Sequence, residues 1–230
     1  MQRLRQWLGL MTIATLFASA ALAAPPAAGP YKTLKSPQPV ETGAKIEVIE
    51  FFWYGCPHCY ELEPKLKQWV AKLPKDVEFR RVPAIPVDRW MPMARTYYTL
   101  EALGELERLH IEVFDALHRD RANLNDEGTL LDWLARKGVD RKKFSDTAGS
   151  FSVQSKVKRA TLMTQAYEVD GVPALVVDGK YMTAPSLANG IEPMFGVLDS
   201  LLGKVRAERG KTAAAPKSSG QADVKGATKK

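Results

Sequence analysis

The sequence predicts an α/β fold in which a small β-sheet carries helices on both faces and is interrupted by an all-helical insertion. Three observations predict it: a strand–helix–strand unit over residues 46–82, helical periodicity over residues 88–168, and a β-hairpin with a following amphipathic helix after residue 172. A length of 230 residues fits one domain or two small ones, and 45% hydrophobic residues provide ample material for a core.

The first 23 residues have the features of a secretory signal peptide. Arg3 and Arg5 give a positive start, residues 8–18 are apolar, and small residues at Ala21 and Ala23 fit cleavage after Ala23. An uncleaved membrane anchor is the alternative, but the apolar run is shorter than the ~20 residues that a spanning helix needs. We therefore expect an exported protein.

The next segments predict a βαβ unit behind an extended lead-in. Residues 24–44 are rich in Pro, Ala and Gly and predict an exposed segment, whereas Ile46–Trp53 is apolar enough for a buried central strand. A helical pattern over 57–73, with Pro64 inside it, precedes a second strand over 77–82. Because a helix joins the two strands, they should be parallel. We assign residues 45–87 to the first part of the α/β domain.

Residues 88–168 predict the helical insertion and residues 169–209 the second part of the α/β domain. Asn125 and Asp140 are candidate helix caps, and a longer helix is predicted over 153–167. Asp178-Gly179 between two β-rich runs predicts a tight hairpin. A final amphipathic helix starts near Ile191, and the Lys-, Ala-, Ser- and Gly-rich residues 210–230 predict a disordered basic tail.

The only two cysteines, Cys56 and Cys59, indicate redox chemistry. A disulfide between residues so close closes almost no loop and adds little stability, so a purely structural role is a poor explanation. The pair follows a buried strand and opens a helix, where unpaired N–H groups and the helix dipole favour a thiolate at Cys56. Pro57 suits the first helical turn and His58 can add positive charge. A stabilised thiolate stabilises the reduced state, so the disulfide should be a strong oxidant.

The two sulfur atoms should have different roles. Cys56, at the exposed end of the turn, should be attacked by substrate thiols. Cys59, one turn into the helix and more buried, should resolve the mixed disulfide when the site acts in the other direction. A structural zinc site is the alternative, but zinc needs four ligands and the chain has no second cysteine pair. We expect no metal and no cofactor.

The run from Phe51 to Tyr60, FFWYGCPHCY, resembles the active site of the DsbA family of periplasmic disulfide oxidases. The resemblance extends to residues 31–34 and 171–174 and covers roughly residues 30–207. It implies a thioredoxin fold with an inserted all-helical domain, a strongly depressed cysteine pKa and an oxidising potential. It also implies a cis bond before Pro173, facing the cysteines, and a Val172 backbone that receives an extended substrate segment. Recharging by a membrane quinone oxidoreductase of the DsbB type is implied as well.

Each strand of the βαβ unit carries a charge on an apolar face. Strand alternation places Glu50 among Ile46, Val48 and Phe52, and Arg81 beside Phe79. Buried charges are normally paired, so we expect Glu50 and Arg81 to lie together below the cysteines. The family has Lys where this chain has Arg81, and Arg holds its proton more firmly, which argues against a relay through the base. Proton transfer between Glu50 and Cys59, or a purely structural ion pair, remain the two interpretations.

The function that we predict is a periplasmic dithiol oxidase acting on reduced, unfolded exported proteins. A reductase or isomerase of the same superfamily is one alternative, although reductases usually have Gly-Pro between the cysteines, and isomerases carry an extra N-terminal dimerisation domain. An exported binding protein with an inert disulfide is the other. The net charge of +7 comes largely from the two ends, and no aromatic-interleaved basic stripe suggests nucleic acid. We expect a monomer.

Overall fold

The protein is described by a computed structural model covering residues 29–214. Five strands form one mixed sheet in the order β1-β5-β4-β2-β3. Their bounds are β1 Lys32–Thr33, β2 Ile46–Phe52, β3 Val77–Pro83, β4 Ala174–Val177 and β5 Tyr181–Thr183. The central strand β2 pairs parallel with β3 and antiparallel with β4, which confirms the predicted βαβ unit. The fully buried β2 therefore carries the chain directly to the cysteines at its carboxyl end.

Seven α-helices and one 3-10 turn are described between residues 29 and 214. The helix α1, Pro57–Val70, joins β2 to β3 and continues through Pro64. The insertion between β3 and β4 contains the 3-10 turn Asp88–Trp90, α2 Met91–Ala102, α3 Leu106–His118, α4 Glu127–Arg136, α5 Arg141–Ala148 and α6 Phe151–Ala166. The helix α7, Ile191–Ala214, ends the described chain. The predicted α/β fold with an inserted helical domain is confirmed.

The core forms on both faces of the sheet. On one face Val48 and Leu175 pack with Leu62 of α1 and Leu198 of α7. On the other face Ile49 and Phe51, with Phe52 at the end of β2, pack with residues of the insertion. The insertion is thus part of the main core, and its helix α3 packs against α1.

Local signals fixed several element boundaries. Asp178 and Gly179 have φ values of 56° and 62°, the left-handed conformation that an Asp-Gly hairpin turn favours. Asp140 caps α5 as predicted, but the predicted cap Asn125 is wrong by one residue, because Asp126 accepts the Thr129 N–H at the start of α4. The helix predicted over 153–167 spans Phe151–Ala166.

Two predicted end segments differ from the structure. Within the lead-in, β1 pairs with β5 and Leu34 is buried, so the expectation of an exposed segment is wrong there: an unpaired β5 edge gains hydrogen-bond partners. The expected disorder from Gly210 is also wrong for residues 210–214, which continue α7. Arg209 donates to the carbonyls of Ala44 and Lys45 and pairs with Asp178, which fixes this last part of the helix. The predicted signal peptide and residues 215–230 lie outside the described residues.

No helix among the described residues is long and apolar enough to cross a membrane.

Candidate active site

Cys56 is the N-cap residue of α1, and Pro57 occupies the first turn, as the sequence predicted. Cys56 has an extended backbone, with φ −93° and ψ 116°, and its carbonyl accepts the Tyr60 N–H. Cys59 lies one turn further and is fully buried, whereas Cys56 is 9% exposed. Both are free thiols in the structure. The helix start therefore presents one sulfur near the surface and holds the other below it.

The surroundings favour a thiolate at Cys56. A hydrogen bond from the Cys59 side chain is the largest cause that lowers the pKa of Cys56 to about 6. The backbone N–H groups of Cys59 and His58 and the charge of His58 act in the same direction, against the cost of burial. His58 is a smaller influence than Cys59, because its side chain is 74% exposed and its Nδ1 lies 3.3 Å from Glu61. The site thus lowers the thiol pKa mainly through its own second cysteine.

Cys59 has the opposite tendency. Burial raises its pKa far above the usual range, and the hydrogen bond to Cys56 and the Cys56 thiolate add to the effect, as does Glu50 whenever it is ionised. A Cys59 sulfur released from a disulfide must therefore take up a proton. The two sulfurs are chemically distinct in the way that a directional exchange reaction requires.

The loop before β4 faces the cysteines. The Val172–Pro173 peptide bond is cis, and the carbonyl oxygen of Val172 lies 3.4 Å from the Cys56 Sγ. Next to it lies a groove of about 330 Å³, whose lining includes Lys32, His58, Val172, Pro173, Met182 and Leu187. The residues predicted for substrate positioning therefore lie on one side of the reactive sulfur, along a groove that remains open to solvent.

A buried group of charges lies beneath the cysteines. Glu50 is fully buried, and its Oε2 lies 3.0 Å from the Arg81 Nε, so the predicted proximity of the two is confirmed. Arg81 also donates to both oxygens of Glu63, at 3.2 and 2.9 Å. One cation thus serves two buried carboxylates, which favours retention of a proton on one of them.

The electrostatic surroundings favour the proton on Glu50. Burial and the neighbouring Glu63 carboxylate raise the pKa of Glu50 to about 8, and these outweigh the ion pair with Arg81. Burial also opposes ionisation of Glu63, but the hydrogen bond from His110 and the contacts with Arg81 hold the pKa of Glu63 below its usual value.

Sequence analysis missed Glu63 and His110. The Nε2 atom of His110, on α3, lies 2.9 Å from Glu63 Oε1, and its Nδ1 lies 2.8 Å from the hydroxyl of Tyr54. Glu63 had a signal, because it is an acid four residues after Cys59 on the inner face of α1. His110 had none, since it is 47 residues away from Glu63. No group of three or more metal-ligating side chains is present in the described part of the chain.

A dithiol at a helix start and a cis-proline loop face each other at the same end of a mixed sheet. This arrangement defines a thioredoxin-fold thiol–disulfide oxidoreductase. A family model described as a DSBA-like thioredoxin domain matches residues 81–201. The chain is 43% identical over 195 residues to a thiol:disulfide interchange protein DsbA of Burkholderia cepacia, covering 84% of this chain and 92% of the relative. The chain belongs to the DsbA family.

Solved structures agree with this assignment. The crystal structure of Pseudomonas aeruginosa DsbA is 41% identical, with a TM-score of 0.76 over 79% of this chain and 95% of that one. The oxidoreductase NmDsbA1 of Neisseria meningitidis is 28% identical, with a TM-score of 0.70 over 79% of this chain and 94% of that one. The likeness therefore includes the sheet and the helical insertion together.

Proposed function

We propose that this protein is a dithiol oxidase that donates a Cys56–Cys59 disulfide to reduced proteins exported to the periplasm. The observation that carries the proposal is the contrast between the two thiols: Cys56 has a pKa lowered to about 6 near the surface, and the buried Cys59 has a raised one. Stabilising the Cys56 thiolate favours the reduced protein and makes the disulfide oxidising. Family membership supports the same activity.

The reaction consists of two exchanges. A substrate thiolate attacks the Sγ of Cys56, a substrate–Cys56 disulfide forms, and Cys59 leaves with the electron pair and is protonated. A second substrate thiolate then attacks the substrate sulfur of the mixed disulfide, and Cys56 leaves as a thiolate. The substrate gains a disulfide and the protein is reduced. A leaving thiol of low pKa speeds the second step.

The cis-proline loop is suited to holding the substrate. Backbone groups of Val172 can pair with an extended peptide, which would tolerate many sequences. The adjacent groove offers Pro173 and Met182 to apolar side chains of that peptide. Because the Val172 carbonyl lies 3.4 Å from the Cys56 Sγ, a peptide paired there would lie beside the reactive sulfur.

Glu50 is the proposed proton donor to Cys59. One of its oxygens, Oε1, is buried with no hydrogen-bond partner within the described residues, which leaves it available to a nearby proton acceptor. Arg81 fixes the other oxygen and remains charged, so it positions the acid rather than relaying protons. Glu50→Gln should slow the release of Cys59 about tenfold at neutral pH and flatten the pH–rate profile. If the rate of Cys59 release in Glu50→Gln equals that of the wild type from pH 5 to 9, Glu50 has no role in proton transfer and only the structural ion pair remains.

The periplasmic location and the recharging partner belong to the same proposal. The signal-like residues 1–23 support export. After each cycle the reduced protein needs an oxidant, for which a membrane quinone oxidoreductase of the DsbB type is the expected partner. The groove beside Pro173 is where that partner would reach Cys56.

The first test is the equilibrium of the mature protein with glutathione buffers, with Cys56→Ser as the inactive control. A strongly oxidising midpoint supports the oxidase. A midpoint near that of thioredoxin would indicate a reductase, and strong activity on scrambled disulfides together with a dimer would indicate an isomerase. Absence of exchange would leave an exported binding protein with an inert disulfide.

A further inference from the structure

Beneath the dithiol, five side chains from separate parts of the chain form one buried row of hydrogen bonds. The row runs from the Tyr54 hydroxyl to His110, Glu63 and Arg81, and ends at Glu50. Tyr54 and Glu50 are 1% and 0% exposed, and His110 is 8% exposed. The oxidase chemistry described above uses Glu50 and Arg81 but gives His110 no role.

The hydrogen-bond geometry fixes the state of His110. Burial lowers its pKa and raises that of Tyr54 well above its usual value, so the imidazole is neutral and the phenol keeps its proton. The ionised Glu63 Oε1 can only accept, so the Nε2–H of His110 donates to it. The neutral Nδ1 then accepts the Tyr54 O–H. Tyr54 thereby holds His110 in the tautomer whose Nε2–H donates to Glu63.

We propose that His110 is a positioning residue for the thiol exchange: it holds Glu63 as the ionised carboxylate and so leaves the single proton of the buried carboxylate pair on Glu50. The proposal rests on the proposed function and deepens it. When the disulfide opens, the S–S bond electrons go to the Cys59 sulfur and the proton goes from Glu50 to that sulfur. Glu50 then takes up one proton from solvent, which restores the singly protonated carboxylate pair.

The other charged groups around the pair agree with this division. Arg81 contacts both carboxylates and already favours ionisation of Glu63, because it donates two hydrogen bonds to Glu63 and one to Glu50. The remaining ionisable neighbours are Tyr97 of α2 and Glu107 of α3 beside His110, and Tyr97, Cys56 and Cys59 around Glu50. The His110 hydrogen bond, which only Glu63 receives, is the largest influence that keeps the pKa of Glu63 low.

A large cleft connects this group to solvent on its other side. Glu63, Arg81 and His110 line a space of about 800 Å³ beside the edge strand β3, whereas Glu50 does not line it. Glu63, which is 5% exposed, therefore lies at the wall of the cleft, whereas Glu50 is fully buried. Without the His110 hydrogen bond, a proton would be retained more readily on Glu63.

The test is a pH titration of the Glu50 side-chain carboxyl by ¹³C NMR in the reduced protein, with Glu50→Gln identifying the resonance. His110→Phe should lower the pH at which Glu50 loses its proton by at least about one unit. His110→Gln, which keeps an N–H donor, should restore most of the wild-type titration. His118→Phe is the matched control, because His118 lies on the same helix and donates to the Tyr54 carbonyl rather than to Glu63.

A second pair of variants tests the route of the effect. Glu63→Gln should also lower the pH at which Glu50 loses its proton. Adding His110→Phe to Glu63→Gln should cause no further change in that pH if His110 acts through Glu63. An unchanged Glu50 titration in His110→Phe, or a shift that persists in the Glu63→Gln background, would overturn the proposal. Should His110→Phe fail to fold, His110→Met takes its place, since methionine adapts to irregular space.

The two proposals fail separately. The titration needs no turnover, so a protein that exchanges no disulfide with glutathione would refute the oxidase while the titration still decides the role of His110. In an active oxidase, His110→Phe should also slow the release of Cys59 several-fold at pH 7 and leave the first attack on Cys56 by a substrate thiolate close to the wild-type rate.

Discussion

The Cys56 thiolate should make the stability of the reduced protein depend on pH in a specific way. The folded pKa of about 6 lies below the usual value of 9.0, so the contribution is full above pH 9 and is lost as the pH falls through 6. With 1.36 kcal/mol per pKa unit, it amounts to about 1.4 kcal/mol at pH 7 and about 2.7 kcal/mol at pH 8, and is close to zero at pH 5. These are upper values, since water at the surface end of Cys56 screens part of the interaction.

The assay is denaturant unfolding of the reduced protein and of Cys56→Ser, measured side by side from pH 5 to 8. Serine does not ionise in this range, and Glu50, Glu63 and His110 are present in both proteins, so the difference reports the thiolate together with its smaller effect on the Glu50 pKa. The difference in free energy of unfolding between the wild type and Cys56→Ser should increase steadily as the pH rises above 6. A difference that stays constant across the range would refute the account of the depressed thiol pKa.

Two further predictions concern single contacts. Cys59→Ala should raise the pKa of Cys56, because the Cys59 side chain is the largest cause that lowers it. Cys59→Ser keeps a hydrogen-bond donor and should raise the pKa of Cys56 less. Both pKa values can be measured from the ultraviolet absorbance of the thiolate, and equal values in the two variants would contradict this reasoning. Gly179→Ala should lower the free energy of unfolding by ~2–4 kcal/mol, because φ is +62° and the new Cβ would lie 2.1 Å from the Gln38 carbonyl oxygen. Gly43→Ala, with φ +63° and open space, should cost only about 1 kcal/mol. Similar losses at the two glycines would refute the steric argument.

The reactive end of the site was accessible to sequence reasoning because it depends on short separations. The positions of Cys56 and Cys59 follow from a strand that ends and a helix that begins, and a three-residue spacing places one sulfur a turn below the other. The proximity of Glu50 and Arg81 followed from the parallel register of two strands in one βαβ unit. These placements need only local geometry and the rule that buried charges are paired.

The magnitude of each influence on the site needed the structure. The sequence suggested that His58 stabilises the thiolate, but the side chain points largely into solvent, and the buried Cys59 is the stronger influence. Likewise, the division of one proton between Glu50 and Glu63 depends on distances to a shared Arg81. Burial and distance set electrostatic effects, and neither is encoded by residue type.

By itself the sequence determined the α/β framework, the helical insertion, the dithiol and the acid beneath it, because each is expressed in periodicity or in spacing along the chain. Only the tertiary structure decided that α3 brings His110 to Glu63, across 47 residues. The approach of Val172 to Cys56, across 116 residues, was implied by the family resemblance but by no spacing within this chain. The tertiary structure also decided that α7 continues to Ala214. Within this helix, Arg209 donates a hydrogen bond to the Ala44 carbonyl in the turn before β2. Such contacts arise from the packing of whole elements around a common core, and no local pattern specifies which side chains that packing will bring together.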